Sequence, residues 1–180
     1  MKKYLLFLLA AFVVGLASCS KDDDVDPNEE ELITTLKVSL LAVGSTTPQV
    51  FTFKDIDGPA GNPPVTFDSI IIDANKSYTA TLQFLNESVS PAEDITVEIA
   101  AEADDHQVYF TPAGVSITPS NLNNDSKGLP VGITSTWQTG AAAKGTLTVT
   151  LKHKPGTKAA GDPVSKGETD VEVAFPVRLK

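Results

Sequence analysis

The side chains that could carry out chemistry in this chain are few. The sequence has two histidines, His106 and His153, and a single cysteine, Cys19. It contains no Gly-x-Ser-x-Gly nucleophile elbow, no phosphate-binding glycine loop and no His-Glu-x-x-His zinc helix. A nucleophile and a base would have to be brought together without any of these motifs. The sequence therefore predicts a protein that is not an enzyme.

One acidic, histidine-containing segment has the spacing of a metal site. Glu98, Glu102 and His106 are four residues apart, so a helix would stack them along one stripe, with Asp105 beside them. His153 is the last residue of a later predicted strand, and its side chain falls on the inward-facing side of that strand. If the helix end packs near that strand end, two imidazoles and two or three carboxylates meet. The predicted ligand set for zinc, iron or copper is Glu102, Asp105, His106 and His153.

The alternative interpretation of the same residues is structural. Glu98, Glu102 and Asp105 would form the solvated face of an amphipathic helix, and His106 would occupy its last turn, where the helix dipole favours it. The sequence alone does not bring His106 close to His153. The distance between the two histidines decides between the interpretations.

Two loops carry oxygen donors of the kind that bind calcium. Asp55-x-Asp57-Gly58 resembles part of a calcium loop, but an EF-hand needs acids where Phe53 and Pro64 stand. We therefore predict a turn there. The run Asn123-Asn124-Asp125 offers oxygens in the same way.

The N-terminal segment has the features of a secretory signal. Two lysines precede the apolar run from Tyr4 to Leu16, which is too short to span a bilayer at about 20 residues. Ala17-Ser18 before Cys19 resembles the bacterial lipobox. That resemblance implies that residues 1–18 are removed and that Cys19 carries lipid. The alternative is a secreted protein cut after Ala17, with a free thiol.

The residues after the cysteine are polar and acidic: Ser20, Lys21, Asp22, Asp23 and Asp24. They resemble the export signal of Bacteroidetes lipoproteins, which implies an outer-membrane anchor facing the cell exterior. The alternative is a solvated tether, as acidic runs usually are. Either way, residues 19–31 are predicted to be a lipidated acidic tether.

Composition and charge limit the function further. The chain has a net charge of −9, which repels phosphate backbones, so nucleic acid is not an expected partner. Residues 32–180 are long enough to bury a core without disulfides. They are predicted to form one domain, and the lipid anchor makes the membrane its expected partner.

The pattern of that domain predicts a mainly β fold, an antiparallel, Ig-like β-sandwich of eight or nine short strands. The predicted strands lie at 32–43, 49–54, 65–72, 77–85, 108–111, 115–118, 131–138, 146–153 and 169–179. Ser90 as N-cap, with Pro91 and Glu93, predicts one short helix over residues 91–106. Its β-branched residues leave a strand over residues 95–99 as the alternative.

Asp68-Ser69-Ile70 resembles the acceptor tripeptide of Bacteroidetes protein O-glycosylation, which makes Ser69 a candidate modification site. A further resemblance rests on several segments of the domain, at residues 33–36, 55–58, 86–87, 93–96, 102–107, 145–153 and 167–171. On these residues the chain as a whole resembles a group of small flavobacterial lipoproteins of uncharacterised function. Such proteins are sometimes labelled as having a type 1 periplasmic-binding fold, but this chain is too short and too β-rich for that fold.

Three functions follow as hypotheses. The first is a non-enzymatic, surface-exposed binding protein without a cofactor, an accessory to an uptake system with an outer-membrane protein as partner. The second is a metal-binding lipoprotein that uses His106, His153 and nearby carboxylates. The third is a structural or adhesive surface protein.

Overall fold

Two β-sheets packed face to face, with one short helix, form the computed structural model, which describes residues 31–58 and 61–180. Cys19 and the export signal from Ser20 to Asp24 lie outside the described residues. Within those residues, no helix is long and apolar enough to cross a membrane.

Ten strands and one helix follow one another in the described part of the chain. They are β1 (Thr35–Ala42), β2 (Gln49–Lys54), β3 (Thr66–Phe67), β4 (Ile70–Ile72), β5 (Ser77–Leu85), α1 (Ile95–Ala101), β6 (His106–Ala113), β7 (Ile117–Ser120), β8 (Thr134–Thr139), β9 (Ala143–His153) and β10 (Glu168–Leu179). One sheet has the strand order β3-β2-β1-β5-β8-β7 and the other has the order β4-β10-β9-β6. The paired strands are antiparallel, except that β4 and β10 are parallel.

The core lies between the sheets because the strands alternate apolar and polar residues. Leu36, Val38 and Leu40 of β1 are fully buried, as is Phe175 of β10. Successive side chains of a strand point to opposite faces, so each strand offers one apolar face to the other sheet. The prediction of a mainly β sandwich with one short helix is confirmed, with ten strands instead of eight or nine.

The predicted third strand, over residues 65–72, is two strands in different sheets. β3 pairs with β2, whereas β4 pairs with β10. The chain crosses between the sheets at Asp68 and Ser69, where the Asp68 carboxylate accepts a hydrogen bond from the N–H of Thr52 at 2.8 Å. The crossing leaves β4 parallel to β10, which is the one parallel pair among the described strands of an otherwise antiparallel sandwich.

Residues 95–99, for which a helix and a strand are the alternative predictions, form a helix. The backbone is helical, not extended, and Ile95 and Ile99 are buried one turn apart against the core. The helix is shorter than the predicted range 91–106, because the chain turns after Ala101 and His106 already begins β6.

The predicted N-cap of this helix is also wrong. Asp94, not Ser90, is the N-cap, and its carboxylate accepts a hydrogen bond from the N–H of Thr96 at 3.1 Å. The predicted capping box fails because Glu93 bonds elsewhere. Its backbone exchanges two hydrogen bonds with Asn86, and its carboxylate accepts another from the Asn86 amide.

Candidate metal centre

Both histidines of the chain lie at the same end of the four-stranded sheet. His106 is the first residue of β6 and His153 is the last residue of β9, and the antiparallel register pairs them directly. Their rings are stacked, with centroids 4.6 Å apart and planes 11° apart. His106 is fully buried and His153 is 4% exposed. Sheet register therefore makes the contact that the metal prediction requires.

Glu102 lies beside this pair, although α1 ends before it. It is the C-cap residue, and the turn after it returns the chain so that His106 Nδ1 lies 3.1 Å from its carbonyl oxygen. A carbonyl only accepts hydrogen bonds, so in neutral His106 the proton is on Nδ1 and the lone pair is on Nε2. One ligand atom each from Glu102, His106 and His153 lie within 4.8 Å of one another.

The helical stripe that predicted this group has a different geometry in the structure. Of Glu98, Glu102 and His106, only Glu98 lies within α1. Glu102 and His106 come together through a turn, while Glu98 is not part of the ligand group. The residues that the pattern selected are close to one another for a reason other than helical spacing.

Asp105, the remaining predicted ligand, has another contact. Its carboxylate accepts a hydrogen bond from the N–H of Gly156 at 2.8 Å, and its carbonyl accepts one from the N–H of Lys154 at 2.7 Å. The group that could hold a metal ion does not include it. Asp105 instead fastens the chain that follows His153 and so fixes the end of β9.

Two ring nitrogens of the pair are buried without a hydrogen-bond partner among the described residues. They are His106 Nε2 and His153 Nδ1. Leaving a buried polar atom unsatisfied costs about 1–3 kcal/mol, so most such atoms in proteins find a partner. A ligand that accepts electron pairs from both nitrogens would remove this cost.

Burial also keeps His106 ready to act as a ligand. Desolvation lowers the pKa of His106 from 6.5 to about 4, and the nearby His153 acts in the same direction. The hydrogen bond to the Glu102 backbone and the charge of Asp105 act in the opposite direction but do not outweigh burial. His106 is therefore neutral at physiological pH, and a metal ion would not have to displace a proton from its Nε2.

Asp170 is the residue of this region that sequence reasoning missed. Its side chain is fully buried, and Oδ2 lies 3.9 Å from His106 Nε2. Val173 and Phe175 of the same strand face inward, and strict alternation from them would direct the side chain of residue 170 to the outer face of the sheet. The register of β10 against β9 shifts between Thr169 and Val171, and this irregularity turns Asp170 toward the histidines.

The stacking of the rings sets a condition on metal binding. An imidazole lone pair lies in the ring plane, so two nearly parallel rings direct their lone pairs into separate planes. One ion can accept a nitrogen from each ring only after one ring turns about its Cβ–Cγ bond. Glu102 is exposed and can follow such a change. Two imidazoles and one carboxylate form a donor set that suits zinc, iron(II) or copper(II).

The other predicted site residues are not part of this ligand group. Ser69 is exposed in the crossing between β3 and β4. Asn123 Oδ1 accepts hydrogen bonds from the N–H groups of Gly132 and Thr134, so this oxygen closes its own loop. Asp125 likewise accepts from two backbone N–H groups of its loop.

No family model matches this chain, and no curated protein or solved structure shows significant similarity to it. The resemblance to flavobacterial lipoproteins therefore stays a prediction.

Proposed function

We propose that this protein is an envelope lipoprotein whose β-sandwich binds a transition metal ion through Glu102, His106 and His153. The observation that carries the proposal is the buried histidine pair with two unsatisfied ring nitrogens. If the stacked pair only filled space, its two unsatisfied nitrogens would destabilise the fold, and no other interaction would compensate for them. A bound ion would satisfy both.

The donor set indicates the class of ion. Imidazole nitrogen favours zinc, copper, iron and nickel over calcium and magnesium, which prefer oxygen ligands. Three protein ligands leave a fourth tetrahedral position open, as in zinc sites that exchange a ligand. Zinc is therefore the first probe, with copper(II) and iron(II) as comparisons.

Metal analysis of the purified chain tests the proposal. The full chain is extracted in detergent, stripped with a chelator, loaded with zinc and dialysed, and zinc per chain is then measured. We expect one zinc ion in the wild type and a loss of affinity greater than about tenfold in the His106→Ala, His153→Ala double variant. Equal zinc content in the two proteins would overturn the proposal.

A matched pair of glutamate variants tests the third ligand. Glu102→Gln and Glu98→Gln each remove one negative charge from the same short segment, but only Glu102 is in the ligand group. We expect weaker zinc binding in Glu102→Gln and unchanged binding in Glu98→Gln. If the two variants lose affinity equally, general acidity, not ligation, explains the effect.

The lipid anchor and the cell-surface location form the second part of the proposal. They are supported by the leader, by Cys19 and by the acidic run from Ser20 to Asp24. In this setting the domain would present its ion to an outer-membrane protein partner as an accessory of uptake. Cys19→Ala should move the protein from the membrane fraction to the soluble fraction, and a variant that stays membrane-bound would refute the anchor.

A further inference from the structure

An acidic cleft opens beside the histidine pair, between the two sheets. It consists of two adjoining cavities of about 330 Å³ each. Asp55, directly after β2, brings one carboxylate from the six-stranded sheet, and Asp170 of β10 brings another from the four-stranded sheet. Both residues line both cavities. The cleft is therefore a place where carboxylates from opposite sheets converge.

The cleft has no basic side chain in its walls among the described residues. Its acidic lining residues are Glu31, Asp55, Asp57, Asp170 and Glu172. Lys54, the neighbour of Asp55 in sequence, forms an ion pair with Glu87 instead. Asp55 therefore has no lysine or arginine beside it in the walls of the cleft.

The burial of Asp55 distinguishes this cleft from a solvated acidic surface. The residue is only 8% exposed, and its Oδ1 is buried without a hydrogen-bond partner in the described part of the chain. The backbone holds it in place, because its N–H donates to the carbonyl of Thr34 at 2.8 Å. A buried carboxylate oxygen without a partner is costly and normally coordinates a cation or forms an ion pair.

Asp57, another acid of the cleft, has contacts of its own with Asn62. Asp57 Oδ2 accepts hydrogen bonds from the backbone N–H and the side-chain amide of Asn62, at 3.0 and 2.6 Å. Asp57 is thereby tied to Asn62 at the rim of the cleft.

We propose that this cleft binds a hard divalent cation of the calcium class, with Asp55 and Asp170 as its carboxylate ligands. Such ions take six to eight oxygen ligands, and a cleft of this size leaves room for carbonyls and water to complete the shell. Asp55-x-Asp57-Gly58 lacks the flanking acids of an EF-hand in sequence. The fold supplies a second acid from β10, which is distant along the chain.

This site differs from the histidine pair in its chemistry and can be tested separately. Asp170 borders both sites, since its Oδ2 lies 3.9 Å from His106 Nε2. Asp55 lines only the acidic cleft and is absent from the histidine ligand group. Asp55 is therefore the diagnostic residue.

Equilibrium dialysis of the chelator-stripped full chain against radioactive calcium tests the proposal. We expect one calcium ion per wild-type chain, with a dissociation constant of about 10⁻⁴–10⁻³ M as in extracellular modules. Asp55→Asn is nearly isosteric and should weaken binding by at least about tenfold, because the site loses a charged ligand. Asp170→Asn should weaken it similarly.

The matched control is Asp73→Asn. Asp73 carries the same charge as Asp170 and directly follows β4. It lies near the opposite end of β10 from Asp170, because Ile72 of β4 pairs with Leu179 of β10. Its calcium binding should equal that of the wild type, and circular dichroism should show the same fold for all three variants. A wild type that binds no calcium, or an Asp55→Asn variant that binds it as tightly, would overturn the proposal.

The His106→Ala, His153→Ala variant separates this proposal from the zinc site. It should keep its calcium binding even as it loses zinc. Loss of calcium binding in that variant would place the ion at the histidines and overturn the cleft site. Retained calcium binding with unchanged zinc content would overturn the zinc site alone.

Discussion

Two buried polar clusters lie side by side at the end of β9, and they differ in how their polar atoms are satisfied. The histidine pair has two buried ring nitrogens without a partner among the described residues. The residues that follow it form what we call the lysine cluster, which consists of Lys154 and Lys158 with their oxygen partners. The side chains of both lysines are almost completely buried, yet Lys154 contacts three oxygens and Lys158 contacts two.

The contacts of the lysine cluster are specific. Lys154 Nζ donates to Gln107 Oε1 at 2.8 Å and to the hydroxyl of Tyr109, and lies 3.6 Å from Asp162. Lys158 Nζ donates to the carbonyl of Ala103 at 2.7 Å and lies 2.8 Å from Asp125 Oδ2. These contacts fasten the loop after β9 to the sheet and to the loop before β8.

The two clusters differ as a structural polar network differs from a binding site. A buried network whose charges meet their partners within the protein stabilises one arrangement and needs nothing from outside. A buried group with free lone pairs is incomplete until something binds. The lysine cluster belongs to the first kind, and the histidine pair to the second.

Breaking the lysine cluster should give the largest effect on stability. Lys158→Met leaves the carboxylate of Asp125 buried without its cation, so we expect the free energy of unfolding to fall by about 3–5 kcal/mol. Urea denaturation measures it. The control is Lys127→Met, which breaks an exposed pair with Asp104 and should cost less than about 1 kcal/mol. Equal losses in both variants would show that burial does not distinguish the lysine cluster.

The histidine pair should make the metal-free protein sensitive to acid in a defined window. Burial lowers the pKa of His106 to about 4, whereas an unfolded histidine titrates near pH 6.5. As the pH falls, the unfolded chain takes up this proton first. The stability that depends on neutral His106 is complete above about pH 6.5 and is lost progressively down to about pH 4. The shift corresponds to about 3 kcal/mol.

Denaturation of the chelator-treated protein at pH 7.0 and at several lower values within this window (~6 to ~4) measures the effect. In His106→Gln the loss over the window should be largely absent, since glutamine does not titrate. Carboxylates with lowered pKa values, such as Asp125 and Asp162, contribute only at more acidic pH. A wild-type profile as flat as that of the variant would contradict a buried, neutral His106.

Replacing both histidines by apolar residues should have the smallest effect. In the metal-free protein, His106→Leu with His153→Leu removes two unsatisfied nitrogens and keeps the volume filled, so the free energy of unfolding should change by less than about 1 kcal/mol. Zinc should no longer raise the melting temperature of this variant. A loss as large as that of Lys158→Met would mean that the pair is structural.

Much of the fold could be predicted because its signals are local. The alternation of Leu147, Val149 and Leu151 predicts a strand, and the four-residue spacing of Ile95 and Ile99 predicts a helix. The bounds of that helix could not be predicted, because pairing of Glu93 with Asn86 competes with the capping box. The division of residues 65–72 between two sheets depends on partners distant in sequence.

By itself, the sequence determined most of the strands, the presence of one short helix, and that only two imidazoles are available. The tertiary structure alone decided that His106 and His153 face each other, because register between β6 and β9 joins residues 47 positions apart. It also decided that Asp170 and Asp55 line one cleft, through a strand irregularity and the packing of the two sheets, which no local pattern reports. The physical reason is that hydrophobic alternation specifies the face of a strand, whereas the choice of partner strand depends on the assembled sheet.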